Sequence, residues 1–204
     1  MQHIRRIEMD VIKGNVFFVS VPHYCAVTVE APNHTLPYIE YQGNRYGEAL
    51  PIARFLARKY KKPCLLPISV GLLGRDELEQ FQCDILINQV DGLRSAALRF
   101  KSESLLTEQQ KKDLEKEFKE EKLPEFLGFL EEKLASSGRP WLIGNNISFA
   151  DLLVFDLLDR IISEEADFAE KLQSEYPLLD GLKDSVASVP QVKAYLDTRP
   201  ETFS

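Results

Sequence analysis

Cys25 carries the most nucleophilic side chain in the first part of the chain, and its setting decides whether that chemistry is available. A reactive thiolate sits at a helix N-terminus, where the dipole lowers its pKa. Cys25 instead opens Cys25-Ala26-Val27-Thr28-Val29, a β-branched run that predicts a strand. The neighbouring Tyr24 lies in Pro22-His23-Tyr24-Cys25, a segment that turn chemistry explains by itself. His3, His23 and His34 have no paired spacing that would suggest zinc, so no metal is assigned. Ser148 and Asp151 are spaced for a different task. In S-x-x-D the serine hydroxyl accepts an orphan helix N–H, and the carboxylate reaches back to the serine N–H. Capping alone predicts that Asp151→Ala costs about 1 to 2 kcal/mol.

That capping box opens the most apolar run of the chain. In Trp141 to Ile162, WLIGNNISFADLLVFDLLDRII, the polar residues after the cap fall on one stripe, Asp156, Asp159, Arg160 and Ser163, at helical spacing. The other faces carry Leu152, Leu153, Val154, Phe155, Leu157, Leu158, Ile161 and Ile162, which predicts a helix inside a helical domain. Ile147 and Leu152 fit a hydrophobic staple.

The 204 residues suffice for one large or two small domains. A net charge of −7 argues against a nucleic-acid partner or an anionic membrane surface. Arg58, Lys59, Lys61 and Lys62 form the one dense basic patch, at the end of a predicted helix where cations answer the dipole. Three cysteines at irregular spacing favour a reduced compartment over a disulfide framework. Apolar runs fall short of the roughly 20 residues of a membrane span, and Met1 to Arg6 is not followed by a secretory apolar region. The expected location is the cytoplasm.

Residues 16–21 and 25–29 read as short strands, Tyr38 to Tyr41 as a third, and Gln42-Gly43-Asn44 as a turn. Leu50, Ile52, Ala53, Phe55, Leu56 and Tyr60 mark a helix that tolerates Pro51 only in its first turn. A proline- and glycine-bearing stretch, Lys62 to Gly74, is the expected linker. From Arg75 the texture is helical. Leu78, Phe81 and Ile85, then Leu86, Val90, Leu93, Ala97 and Phe100, predict one long helix whose apolar stripe drifts round its axis. Thr107 with Gln110 forms a second capping box. The charged run Lys111 to Lys122 reads as a solvated face. Pro124 breaks or kinks the helix, Leu123, Leu127, Leu130 and Leu134 continue its stripe, and Gly138 to Pro140 ends it. Helices at Tyr176-Pro177 and at Val192 to Leu196 close the chain.

Three segments resemble the cytosolic glutathione transferases, most closely their sigma-like class. TLPYIEYQG, from Thr35, looks like that family's hydrophobic-Pro-strand-Gly signature; LPIARFLAR, Leu50 to Arg58, is similar to its A-I-A-R-Y-L helix; and WLIGNNISFADLLVFDLLD matches its G-x-x-[ST]-x-A-D capping motif. The terminal TRPETFS also looks like sigma-class ends. The resemblance implies α/β plus all-α architecture: an incomplete thioredoxin-like, glutathione-binding domain over residues 1–66, of which 1–35 are atypical, and an all-helical domain over 75–204 that holds a small hydrophobic electrophile. It implies a homodimer, and glutathione as co-substrate with no further cofactor. Leu36 would pair its backbone with the cysteinyl part of glutathione, with Pro37 as a cis-proline turning that backbone outward. A plain strand-start proline is the alternative.

The departures from the family concern the chemistry. A Gln-Ser or Glu-Ser pair that binds the γ-glutamyl carboxylate corresponds here to Glu48 and Ala49, so the hydroxyl is gone. Glu48 either binds the ligand's amino group or only answers the helix dipole. The family's catalytic Tyr or Ser follows a first strand that residues 1–35 do not show, and Tyr24 is the sole tyrosine before Leu36 able to substitute as thiolate donor. RRIEMDVIK, Arg5 to Lys13, faintly resembles the segment around the family's second strand. Where sigma-like members offer an aspartate to the glutathione amine, Asp91 stands one position early and Gly92 takes its place. One residue turns a side chain about 100° round a helix, so Asp91 is a weak contact. Phe100 lines an electrophile pocket or packs in the core. Three expectations follow: a transferase joining glutathione to small hydrophobic electrophiles; a catalytically impaired dimerising or ligand-binding relative; or a fragment of an ordinary transferase.

Overall fold

The computed structural model describes residues 6–8, 17–19, 37–59, 72–102, 105–165 and 167–199. Tyr24, Cys25, Leu36, the three histidines and the strand expected over 25–29 lie outside the described residues. The chain divides into two compact units, 1–61 and 62–204.

Among the described residues the first unit has a four-stranded sheet in the order β1-β2-β3-β4 and one helix. The strands are β1 (Arg6–Glu8), β2 (Phe17–Val19), β3 (Tyr38–Tyr41) and β4 (Asn44–Gly47). All three pairings are antiparallel. For β1 and β2 this follows from the connection, because residues 9–16 are fewer than the dozen or so that a parallel crossover requires. The sequence did not mark β1 or β4 as strands. Asn44-Arg45-Tyr46-Gly47 has no apolar alternation, and its first three residues are exposed. β4 is formed instead by its turn. Gln42 and Gly43 both take positive φ, 51° and 80°, the two-residue geometry whose twist matches a hairpin, and Tyr41 then pairs with Asn44. Helix α1 (Ala49–Lys59) covers the face of Ile39, which is 1% exposed against Ile52 at 3%.

Among the described residues the second unit is all helical. Its elements are α2 (Glu77–Ser102), α3 (Glu108–Glu117), α4 (Leu123–Ser137), α5 (Phe149–Glu164), α6 (Phe168–Glu175), α7 (Pro177–Ala187) and α8 (Pro190–Thr198). Helix α5 is central, with Ala150, Val154 and Leu158 fully buried. Pro124 neither breaks nor ends its helix. Lacking an N–H for the carbonyl four residues back, it coincides with a π-helical turn over Phe118–Lys122, in which Leu123 N–H donates to the Phe118 carbonyl. α3, the π turn and α4 thus run on without a gap. Leu123, Leu127, Leu130 and Leu134 of α4 are all buried. Gly138 at φ 61° closes α4 in the left-handed cap position. α7 has no cap from its own N-cap residue Tyr176. Glu131 of α4 supplies one, its two carboxylate oxygens accepting the N–H groups of Leu178 and Leu179, each at 2.9 Å.

One expectation about α2 is corrected. Leu78, Phe81 and Ile85 do not begin the core stripe; they are 64%, 63% and 40% exposed. The buried face of the first half is Cys83, Leu86 and Ile87, nearly half a turn away round the helix. Val90, Leu93 and Phe100 continue it. Phe100 packs against Phe118 with ring centroids 5.5 Å apart, so it belongs to the core rather than to an open pocket.

Candidate functional site

In the first unit the candidate site is built on the β3-turn-β4-α1 sequence. Half-buried Pro37 stands directly before β3, which turns Tyr38 and Ile39 into the interior at 3% and 1% exposure. Behind β3, Tyr41 and Phe55 of α1 meet at 5.1 Å and 60°. The Lys59 ammonium lies 3.6 Å from the Tyr41 ring centroid, tying the last turn of α1 to the same strand. Glu40 and Arg45 are opposite each other in the β3–β4 register and form an ion pair at 3.0 Å. Arg45 also lies over the Tyr38 ring at 5.6 Å. These contacts fix the plane from which α1 departs.

The departure takes one residue. Glu48, between β4 and α1, has φ 71°, a left-handed conformation that costs a side-chain-bearing residue about 1 to 2 kcal/mol. Its carbonyl accepts Ile52 N–H at 3.0 Å, which makes it the N-cap of α1. An N-cap residue is ordinarily extended, so this one is held in place by the fold around it. The consequence is chemical. The helix starts at Ala49 and has no acid in its first turn. As first-turn residues Ala49 and Leu50 have N–H groups with no partner inside the helix, whereas Pro51 has none to offer. A helix start with free N–H groups is a ready anion site, here with the Glu48 carboxylate beside it and no hydroxyl at Ala49. Helix start and an adjacent carboxylate suit a ligand carrying both a carboxylate and an ammonium group.

In the second unit, Asp91 is exposed on α2 and Gly92 follows it. Ser148 and Asp151 form the capping box of α5, with Ser148 2% and Asp151 0% exposed. Asp151 Oδ2 accepts both Ser148 N–H and Ser148 Oγ–H at 2.6 Å, and Oδ1 accepts Leu142 N–H at 2.9 Å. Burial pushes this carboxyl above the ordinary aspartate range, against the pull of the Ser148 and Leu142 donors. Both of its oxygens are bonded within the chain, so it holds structure rather than a ligand. Thr107 and Gln110 make the same box in the open on α3.

Among the described residues no group of three His, Cys, Asp or Glu side chains is placed to hold a metal ion. Among the same residues no helix is long and apolar enough to cross a membrane. The left-handed Glu48 was not readable from the sequence, since Gly-Glu-Ala carries no turn signal that assigns positive φ to the glutamate.

Residues 99–199 match the family described as Glutathione S-transferase, C-terminal domain. A glutathione S-transferase of Plasmodium yoelii yoelii is 27% identical over 173 residues, 85% of this chain and 72% of that protein. The probable glutathione S-transferase 5 of Caenorhabditis elegans is 28% identical over 176 residues, 86% of this chain and 78% of the relative. Among solved structures, rat hPGDS complexed with a quinoline superposes with a TM-score of 0.72 at 23% identity, covering 90% of this chain and 83% of that one. That likeness establishes a common fold.

Proposed function

We propose that this glutathione-transferase-like chain joins the thiol of glutathione to small hydrophobic electrophiles. The observation that carries the reading is Glu48, whose left-handed conformation delivers the free N–H groups of α1 beside the strand that follows Pro37. In this reading the Leu36 backbone pairs with the cysteinyl unit, and Pro37 sets the direction of that segment. The N–H groups of Ala49 and Leu50 take the γ-glutamyl carboxylate, and the Glu48 carboxylate takes the γ-glutamyl ammonium. Asp91 is a minor contributor at most, because it is one residue out of line. The thiolate attacks the electrophilic carbon and forms a carbon–sulfur bond; the leaving group departs with its electron pair, and the thiol proton passes to solvent. Tyr24 is the candidate donor to the thiolate. The chain acts in the cytoplasm as a homodimer, with glutathione as co-substrate.

Calorimetric titration with glutathione, paired with conjugation of an aryl halide, tests the reading. Binding is expected in the millimolar range. Ala49→Ser should tighten it about tenfold to a hundredfold, because a hydroxyl bonded to a charged group contributes about 1.5 to 3 kcal/mol. Tyr24→Phe should abolish turnover while leaving binding in place. No binding at millimolar glutathione would sink the reading. The second reading, a ligand-binding relative without turnover, is favoured by the missing hydroxyl at Ala49; binding without conjugation by the wild type would select it.

A further inference from the structure

Strand β4 ends one residue before Glu48, yet none of its residues is buried. Asn44, Arg45 and Tyr46 are exposed, and only Gly47 is half-buried. Packing therefore does not anchor this strand. A segment with few buried contacts is where a fold opens most cheaply. Glu48 needs the opposite, because a left-handed residue with a side chain persists only where its surroundings over-determine it.

The side-chain contacts that hold β4 lie on the face of the sheet turned away from α1. Ile39 and Tyr41 point toward α1, where they pack with Ile52 and Phe55. Alternation then puts Tyr38 and Glu40 on the other face. The register sets Gly47 opposite Tyr38, and Arg45 opposite Glu40, on that same face. Arg45 is used twice there. Its Nε donates to Glu40 Oε1 at 3.0 Å, and its guanidinium carbon lies 5.6 Å from the centroid of the Tyr38 ring, within cation–π range. Tyr38 and Arg45 stand diagonally across the ladder, and Gly47, directly across from Tyr38, has no side chain to compete for the ring. Tyr38 is 3% exposed and follows Pro37, so the ring is a fixed platform.

We infer that Arg45 is a positioning residue for glutathione: held by Glu40 and Tyr38, it keeps β4 against β3 and so maintains the left-handed Glu48 from which α1 departs. Arg45 takes this role only on the glutathione reading of the site, and it acts through Glu48 rather than on the ligand. Neither of its contacts is strong alone. A cation over a ring at an exposed position and a cross-strand ion pair each contribute less than a left-handed side-chain-bearing residue costs, and together they are of the same order. With both contacts the strained Glu48 is sustained. Without them the end of β4 relaxes toward the extended geometry usual for an N-cap, and the start of α1 turns away from its ligand-binding direction.

Amide exchange of the ligand-free full chain, read residue by residue by NMR, is the first arm of the test. Ile52 N–H donates to the Glu48 carbonyl at 3.0 Å, so its protection reports the conformation at Glu48. Arg45→Leu removes the charge while keeping an aliphatic side chain. It should lower Ile52 protection about fivefold or more, and leave Leu56, one turn further along α1, within about twofold of the wild type. Arg45→Lys keeps a cation for both contacts and should hold Ile52 within about twofold of the wild type. Calorimetric titration with glutathione is the second arm. Arg45→Leu should raise Kd about three- to tenfold, and Arg45→Lys should leave it near the wild-type value. Equal losses at Ile52 and Leu56 would mean general destabilisation and would overturn the inference. So would unchanged Ile52 protection in Arg45→Leu, a lysine variant that behaves like the leucine one, or unchanged affinity in a variant whose Ile52 is deprotected. A wild type that fails to bind millimolar glutathione would sink the reading of the site, whereas a selective loss at Ile52 would still support the hold of Arg45 on Glu48.

Discussion

Replacing Asp151 by alanine removes one carboxylate from two different jobs. The local job is the capping box, and its loss alone costs about 1 to 2 kcal/mol. The second job is non-local, since Asp151 Oδ1 accepts the N–H of Leu142 at 2.9 Å, nine residues back in the chain. Asp151 and Leu142 are 0% and 3% exposed, so no water replaces the lost acceptor. The variant leaves two buried N–H groups, of Leu142 and Ser148, each costing about 1 to 3 kcal/mol when unsatisfied. Relief of the buried charge offsets part of this, and about 3 to 4 kcal/mol is the expected net loss. Thr107→Ala, in the exposed box of α3, is the internal comparison and should cost about 1 kcal/mol. Urea unfolding followed by fluorescence is well suited, because the chain's single tryptophan, Trp141, precedes Leu142. The pH dependence has a definite sign. Burial raises the folded pKa of Asp151 above its unfolded value, so the folded state holds this proton more tightly. Its contribution is greatest below the unfolded value and falls as pH rises through the folded one. The gap between wild type and Asp151→Ala should therefore widen in acid. A loss of 1 kcal/mol or less, matching Thr107→Ala, would refute the buried network.

Other substitutions probe the remaining joints. Glu48→Gly removes the left-handed strain at φ 71° and should raise stability by about 0.5 to 1 kcal/mol in thermal unfolding, while weakening glutathione binding at least tenfold by calorimetry. Gly144→Ala adds a Cβ at φ 63° that would lie 2.7 Å from Glu79 Oε1; a cost of about 2 kcal/mol is expected in urea unfolding. Glu79 is held below the ordinary glutamate range by hydrogen bonds from the Arg75 side chain and backbone. Its contribution is present above the unfolded glutamate pKa and lost as pH falls through the lower folded value, so Glu79→Gln should flatten the acid limb of an unfolding-versus-pH curve. Leu158→Ala, at 0% exposure in α5, should cost about 2 to 5 kcal/mol in the same denaturation assay.

What could be read in the sequence was whatever depends on neighbours a few residues apart. The S-x-x-D of Ser148 and Asp151 and the T-x-x-Q of Thr107 and Gln110 appear in the structure as capping boxes, because a cap is made within one turn. The leucine stripe of α4 is buried as its spacing predicts, since period 3.6 is a local property. The same reasoning failed at Leu78, Phe81 and Ile85. Helical spacing shows that a face is apolar, but not whether this chain covers it, and α2 has two such faces. Pro124 was read as a break or a kink from its intrinsic effect, and in the structure the α-helical pattern is interrupted just before it by a π turn over Phe118–Lys122.

The candidate site divides along the same line. The sequence by itself determined the order of elements, a short α/β segment before an all-helical one, and named Pro37, Glu48 and Ala49, because their types and spacing sit in one short stretch. Only the tertiary structure decided that Glu48 is left-handed, that Asp151 also bonds Leu142, and that Glu131 caps α7 from 47 residues away. It likewise decided that Arg45 lies over the Tyr38 ring from the neighbouring strand. The physical reason is common to all four. Each is a conformation or contact set by groups outside the one or two helical turns, or the strand alternation, on which a sequence pattern is read.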